Sequence, residues 1–176
     1  MTTQPERPSP QDEARAERPT KALVVYYSRT GYTGIVAEAI AQRLGCDLEE
    51  IVDRKRRRGP LGILLGAKDA LDGKLTEIEP IRHDPETYDL VVIGGPVWAG
   101  TMAPAVRTYM TEQAGKMKKV AFFCTQSSAK PGHTFADMQA LGPGPPVDTL
   151  SLRTKAVKRR DFDEKLDGFV DRLRAT

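Results

Sequence analysis

A strand that runs straight into a helix through a loop of hydroxyls is the feature that most constrains this chain. The apolar run Ala22-Leu23-Val24-Val25-Tyr26-Tyr27 reads as a strand, and Ile35-Val36-Ala37-Glu38-Ala39-Ile40-Ala41 reads as a helix. Between them lies Ser28-Arg29-Thr30-Gly31-Tyr32-Thr33-Gly34, with aliphatic hydroxyls at Ser28, Thr30 and Thr33. A helix N-terminus carries unpaired backbone N–H groups and about half a positive charge, so such a loop suits a phosphate dianion held by many hydrogen bonds. One hydroxyl suffices to cap a helix, and this loop has more than it needs for that. It lacks the Gly-Lys-Ser/Thr ending of a nucleotide triphosphate loop and the third glycine of a dinucleotide fingerprint, which sets those two classes aside.

The alternation continues along the chain. Asp47 to Val52 offers a short strand, and Leu61 to Leu71 carries apolar residues at 61, 64, 65 and 71 that share one helix face. Tyr88-Asp89-Leu90-Val91-Val92-Ile93 is almost wholly apolar, as a central parallel strand is, and Gly94-Gly95-Pro96 marks a sharp turn at its end. A helix over Ala103 to Gln113, a strand over Val120 to Cys124, a helix over His133 to Leu141, a strand over Val147 to Leu152 and an amphipathic helix over Phe162 to Leu173 complete the pattern. Strands alternating with helices predict an α/β fold, a parallel sheet with helices on both faces, because right-handed crossovers place them there. Ligands of such sheets sit beyond the carboxyl ends of the strands, and the polar loops of this chain all fall on that edge.

At 176 residues the chain is long enough for one domain with a proper core. Met1 to Thr20 is rich in Pro, Glu, Arg and Gln with almost no large apolar side chain, so 1–20 is expected to be a disordered tail and 21–176 the domain. No apolar run approaches the ~20 residues of a membrane span and no signal peptide pattern is present, so a cytoplasmic protein is expected. Cys46 and Cys124 fit neither a CxxC pair nor a metal knuckle and are expected as free thiols; His83 and His133 lack a second ligand at metal spacing. There is no Ser-His-Asp set, nucleophile elbow or motif-bound carboxylate pair, so no catalytic side chain is assigned.

The wording Ser-x-Thr-Gly-x-Thr after the first strand resembles the FMN-phosphate loop of the flavodoxin family, and the resemblance spans Lys21 to Leu173. It implies a flavodoxin-like three-layer sandwich on a five-stranded parallel sheet of order 2-1-3-4-5, with FMN as cofactor. By the same resemblance the FMN phosphate falls to Ser28, Arg29, Thr30, Gly31, Tyr32 and Thr33, and the ring to Pro96, Val97, Trp98, Ala99 and Gly100 within the second loop. Trp98, the only tryptophan, either stacks on the flavin, adding about 0.5–1.5 kcal/mol beyond its buried area, or packs in a crevice between loop and helix. A peptide of Trp98-Ala99-Gly100 is implied to reorient on flavin reduction, which flexible backbone makes cheap. Thr125, Gln126, Ser127 and Ser128 through Gly132 either offer N–H and hydroxyl groups to the pyrimidine edge or form an ordinary polar turn.

The resemblance further implies electron transfer to a redox partner protein or to a small-molecule acceptor such as a quinone, with NAD(P)H or a protein as donor. The formal charge of +3 and pI near 8.9 depart from the strongly acidic flavodoxin shuttles and weaken a simple shuttle role. The second loop holds no Asp or Glu, and fewer acids near the ring imply a less negative reduction potential. Arg54-Lys55-Arg56-Arg57-Arg58 and the cluster Arg153, Lys155, Lys158, Arg159, Arg160 are either solvated or contact a polyanion or acidic partner. The second reading is therefore a flavodoxin-fold binding module. No aromatics interleave with these charges, which disfavours nucleic acid. A monomer or homodimer is expected.

Overall fold

The computed structural model describes residues 20–55, 59–127 and 130–176; residues 1–19 of the expected tail, Arg56 to Arg58 and Ser128 lie outside the described residues. Strand β1 (Ala22–Tyr26) is buried along its whole length, as an unbroken apolar run requires. It is followed by α1 (Tyr32–Leu44), β2 (Asp47–Glu50), α2 (Gly59–Leu71), β3 (Leu90–Trp98), β4 (Thr101–Met102) and α3 (Pro104–Gln113). Next come β5 (Val120–Gln126), α4 (Thr134–Leu141), β6 (Thr149–Arg153), α5 (Thr154–Arg159) and α6 (Asp163–Arg174). The path of the sheet is β2-β1-β3-β5-β6, with every pair along it parallel. With β4 set aside, this is the 2-1-3-4-5 order that the resemblance implied. The sheet has six strands rather than five, because β4 folds back antiparallel on the end of β3.

Period-two alternation divides the core between the two faces. Val24, Val92, Ala121 and Phe123 meet α1, α5 and α6 through Val36, Ile40, Val157, Leu166 and Phe169. Leu23, Val25, Val91, Ile93 and Phe122 meet α3 and α4 through Val106, Tyr109, Met110 and Met138. The fold is thus a three-layer α/β sandwich.

One reading of the sequence is corrected here. Gly94-Gly95-Pro96 does not turn the chain: β3 runs straight through it to Trp98. The two glycines admit large neighbours on opposite faces. A Cβ on Gly94 would lie 2.2 Å from Cε1 and Cζ of the Phe123 ring, and one on Gly95 would lie 2.6 Å from Val106 Cγ2. The leucines of α2 share one face, as their spacing predicts, and that face turns outward. Globular helices turn large apolar side chains inward, yet α2 buries Gly66, Asp69 and Ala70 and leaves Leu61, Leu64, Leu65 and Leu71 exposed. The indole of Trp98 fills the space beneath it, so close that a Cβ on Gly66 would lie 2.7 Å from Trp98 Cζ3.

Smaller differences follow from local chemistry. The basic segment after β6 forms the short helix α5, which ends at Arg160 in the left-handed region (φ 58°). His83 Nδ1 lies 2.9 Å from Glu49 Oε2, whose carboxylate also accepts the backbone N–H groups of Arg82 and His83. Cys46 is half-buried and Cys124 buried, both free, and burial pushes each thiol up to about 11.

Candidate functional site

The loop after β1 meets α1 at Gly31, the N-cap, in the left-handed region (φ 86°), and no side chain caps the helix. The first-turn N–H groups therefore keep their donor capacity for something else. The Ser28 hydroxyl is buried and has no hydrogen-bond partner. A buried hydroxyl left this way costs about 1–3 kcal/mol unless a ligand satisfies it. Arg29 is half-buried and Thr30 exposed beside it, and the Lys158 ammonium of α5 lies 5.2 Å from the centre of the Tyr32 ring. Donors, positive charge and an uncapped helix converge here, and the residues present fit a phosphate group.

Thr33 follows in the first turn of α1. It is 2 % exposed, and its hydroxyl lies 2.7 Å from that of Thr125, which is 4 % exposed. The bond ties the first loop to the third. Gln126, next on β5, turns toward β6: its Nε2 donates to Ser151 Oγ at 2.6 Å, and its carbonyl accepts from Thr154 Oγ1. Ser127 is exposed.

The second loop is a two-residue β-hairpin. Trp98 pairs with Thr101, and Ala99 and Gly100 form its tip with φ of 51° and 83°. Positive φ at both central residues is the requirement of a type I′ turn, whose twist matches that of the flanking strands. Pro96 lies level with Thr125 on β5, and Val97 pairs with Met102. The third loop closes on the hairpin tip. His133 N donates to Gly100 O at 2.6 Å, and a Cβ on Gly132 (φ 63°) would lie 2.6 Å from Gly100 Cα, so only glycine permits this approach. Thr101 Oγ1 donates to Asp137 and accepts from the Arg107 guanidinium at 3.2 Å, fixing the hairpin to α3 and α4.

Trp98 is half-buried between elements, its ring 5.8 Å from that of Tyr27 in an edge arrangement at 79°. The contact joins the first loop to the second. The three loops are thus linked pairwise, through Thr33–Thr125, Tyr27–Trp98 and His133–Gly100, at the carboxyl edge of β1, β3 and β5. Sequence reading had not singled out Tyr27, Gly66, Asp137 or Lys158 for the site. The one available signal was small residues four apart, Gly62, Gly66 and Ala70, in an otherwise leucine-rich helix.

No family model matches the chain. Its backbone is similar to that of a flavoprotein from Lactobacillus acidophilus NCFM solved in complex with FMN, with a TM-score of 0.65 and 24 % identity over 80 % of this chain and 97 % of that one. It is similar also to oxidised flavodoxin 2 from Bacillus cereus (TM-score 0.53, 18 % identity, 86 % of this chain and 96 % of that one). An NADH:FMN oxidoreductase in its apo form gives a TM-score of 0.56 at 14 % identity, over 89 % of each chain. At these identities the likeness speaks for architecture, and the conclusion it carries is that this chain has the flavodoxin-like fold.

Proposed function

We propose that this protein binds FMN and passes electrons to a small acceptor such as a quinone or to a redox partner protein, with NAD(P)H or a protein as donor. The observation that carries the reading is the uncapped start of α1 beside the buried, unpartnered Ser28 hydroxyl. A phosphate would meet the free N–H groups of the first turn and the Ser28 hydroxyl at once. Ser28, Arg29, Thr30, Gly31 and Tyr32 would hold the phosphate, and the hairpin at Trp98 to Gly100 with the Thr125 to Gly132 loop would flank the ring. FMN would supply hydride or single-electron chemistry, and the protein would place it and set its charge environment. The neighbours named for FMN and for NADH:FMN oxidoreduction support this reading. The hairpin segment itself carries no acid, and Arg107 and Asp137, which meet at the Thr101 hydroxyl, oppose each other in charge, so little negative charge there works against a reduced cofactor. Two free thiols, Cys46 and Cys124, are in keeping with a reducing, cytoplasmic setting.

The decisive experiment is mass spectrometry of the cofactor released from purified protein, together with titration of apoprotein. FMN is expected. If each hydrogen bond to the phosphate contributes about 1.5–3 kcal/mol, Ser28→Ala and Thr30→Ala should each weaken FMN roughly ten- to hundredfold while leaving riboflavin, which lacks the phosphate, unaffected. Equal losses for both ligands would place the phosphate elsewhere. Steady-state NAD(P)H oxidation with a quinone, compared with reduction of an acidic carrier protein, then separates a self-contained reductase from a shuttle.

A further inference from the structure

The basic cluster after β6 is held in place rather than left on a loose loop. Thr154 Oγ1 donates to the carbonyl of Gln126 at 3.1 Å and Val157 is buried, so α5 is tied at its start to the end of β5 and at its middle to the core. Lys155, Lys158 and Arg159 are exposed on it at helical spacing. Of these, Lys158 is drawn to one spot: its ammonium lies 5.2 Å from the centre of the Tyr32 ring. A cation over an aromatic face is attracted by the ring quadrupole, which favours one position of an otherwise flexible side chain. Among the described residues no carboxylate pairs with Lys158.

That spot lies beside the uncapped start of α1. Tyr32 is the first residue of the helix, and the Cα–Cβ bonds of a helix tilt toward its N-terminus, so a side chain at this position is directed past the helix start. Tyr32 also packs against the core under α1, which fixes its ring. The buried, unpartnered Ser28 hydroxyl lies against the same turn: a Cβ on Gly34 would be 3.8 Å from its oxygen. No Asp or Glu occurs from Lys21 to Ala37 to compete for a cation there. An orphaned hydroxyl, a helix start with free donors and an ammonium held by an aromatic ring thus share one turn of helix.

We propose that Lys158 is a binding residue of the FMN site, the cation that selects a terminal phosphate dianion, and that Tyr32 is the positioning residue that holds it there. The inference rests on the FMN reading above and adds to it a residue from the far end of the chain that reads the charge of the ligand. A phosphomonoester carries about −1.5 to −2 charge at neutral pH, whereas riboflavin carries none. The attraction of an ammonium scales with that charge, and the four-carbon stem of a lysine lets it pass from the ring to a phosphate oxygen. Ser28 and the first-turn N–H groups would satisfy the phosphate from inside, and Lys158 from the solvent side.

The test is titration of the full chain, freed of flavin, with FMN and with riboflavin, followed by flavin fluorescence. Lys158→Gln should weaken FMN about five- to tenfold and riboflavin by less than about twofold. Lys158→Arg keeps the cation and should stay within about threefold of wild type, a rescue that a packing role of the aliphatic stem would not require. Raising salt from ~50 to ~200 mM should weaken FMN binding to wild type more than to Lys158→Gln. Lys158 is exposed and Gln keeps helix propensity, so the melting temperature should hold. Equal FMN affinity in wild type and Lys158→Gln would overturn the proposal. So would equal losses for FMN and riboflavin, or a loss as large in Lys155→Gln, which removes a neighbouring charge of α5 that does not stack on Tyr32. The two readings fail separately. If Ser28→Ala loses the preference for FMN over riboflavin and Lys158→Gln does not, the phosphate site stands and this inference alone falls; a wild type that binds riboflavin as tightly as FMN removes the phosphate site itself.

Discussion

Single side chains at the carboxyl edge of the sheet hold the site together, and Thr33 shows how. Its hydroxyl is hydrogen-bonded to that of Thr125 in a setting where both residues are buried. Removing one partner strands the other, whereas removing both leaves none unsatisfied. Thr125→Val should therefore destabilise the protein by about 1–3 kcal/mol, and Thr33→Val/Thr125→Val by less than the sum of the single changes, as read from urea unfolding. Strict additivity would show that the pair is uncoupled. The two thiols make a second residue-scale prediction. Burial, aided at Cys46 by the Asp47 charge, raises each to about 11 from an ordinary 9.0. Because the folded pKa is the higher one, the stabilisation is fully present below pH ~9 and is lost as pH climbs toward ~11, by about 1.4 kcal/mol per pH unit for each thiol. Melting temperature should fall across that window, and more gently in Cys46→Ala/Cys124→Ala; identical slopes would count against buried, protonated thiols.

Elements meet where glycine lets them. At Gly94 the missing side chain is replaced by the Phe123 ring, so Gly94→Ala should cost at least ~3 kcal/mol, or prevent folding, although alanine suits a strand better than glycine does. Chemical denaturation of the variant measures it, and a neutral effect would mean that Phe123 repacks freely. Gly132→Ala tests the contact between loop and hairpin without touching the core. The added methyl would part Gly132 from Gly100, and FMN affinity should drop at least tenfold while the melting temperature shifts by only a few degrees. An unchanged affinity would show that the closure of the third loop on the hairpin has no part in binding. The periodicity of α2 was plain in the sequence, yet its direction was not. Four leucines on one face announce an amphipathic helix, but whether that face turns inward depends on what already fills the space beneath, here an indole from a strand more than thirty residues away.

On the scale of the whole molecule, the sheet and its helices begin at Ala22, and residues 1–19 have nothing to bury. Deleting 1–19 should leave both the melting temperature and FMN affinity unchanged, which calorimetry and a flavin titration check; a clear loss of either would give that segment a structural part. The alternation of apolar runs with helical periods was enough to determine an α/β sandwich, because burial on both faces leaves a central parallel strand no polar position. The hydroxyls at Ser28, Thr30 and Thr33 were legible for the same local reason, since a helix start announces itself within a few residues. What the sequence could not decide was everything set by contacts across long separations. Gly94-Gly95-Pro96 reads locally as a turn, and only Phe123 and Val106 pressing from either side make it a strand. Trp98 read as a plate for a ring, with a packed crevice as the alternative, and only the structure shows that its indole lies against Gly66 and Tyr27. Local pattern determines which segments hide apolar surface; the partner that hides it, and the direction a helix faces, are settled only when the elements compete for the same space.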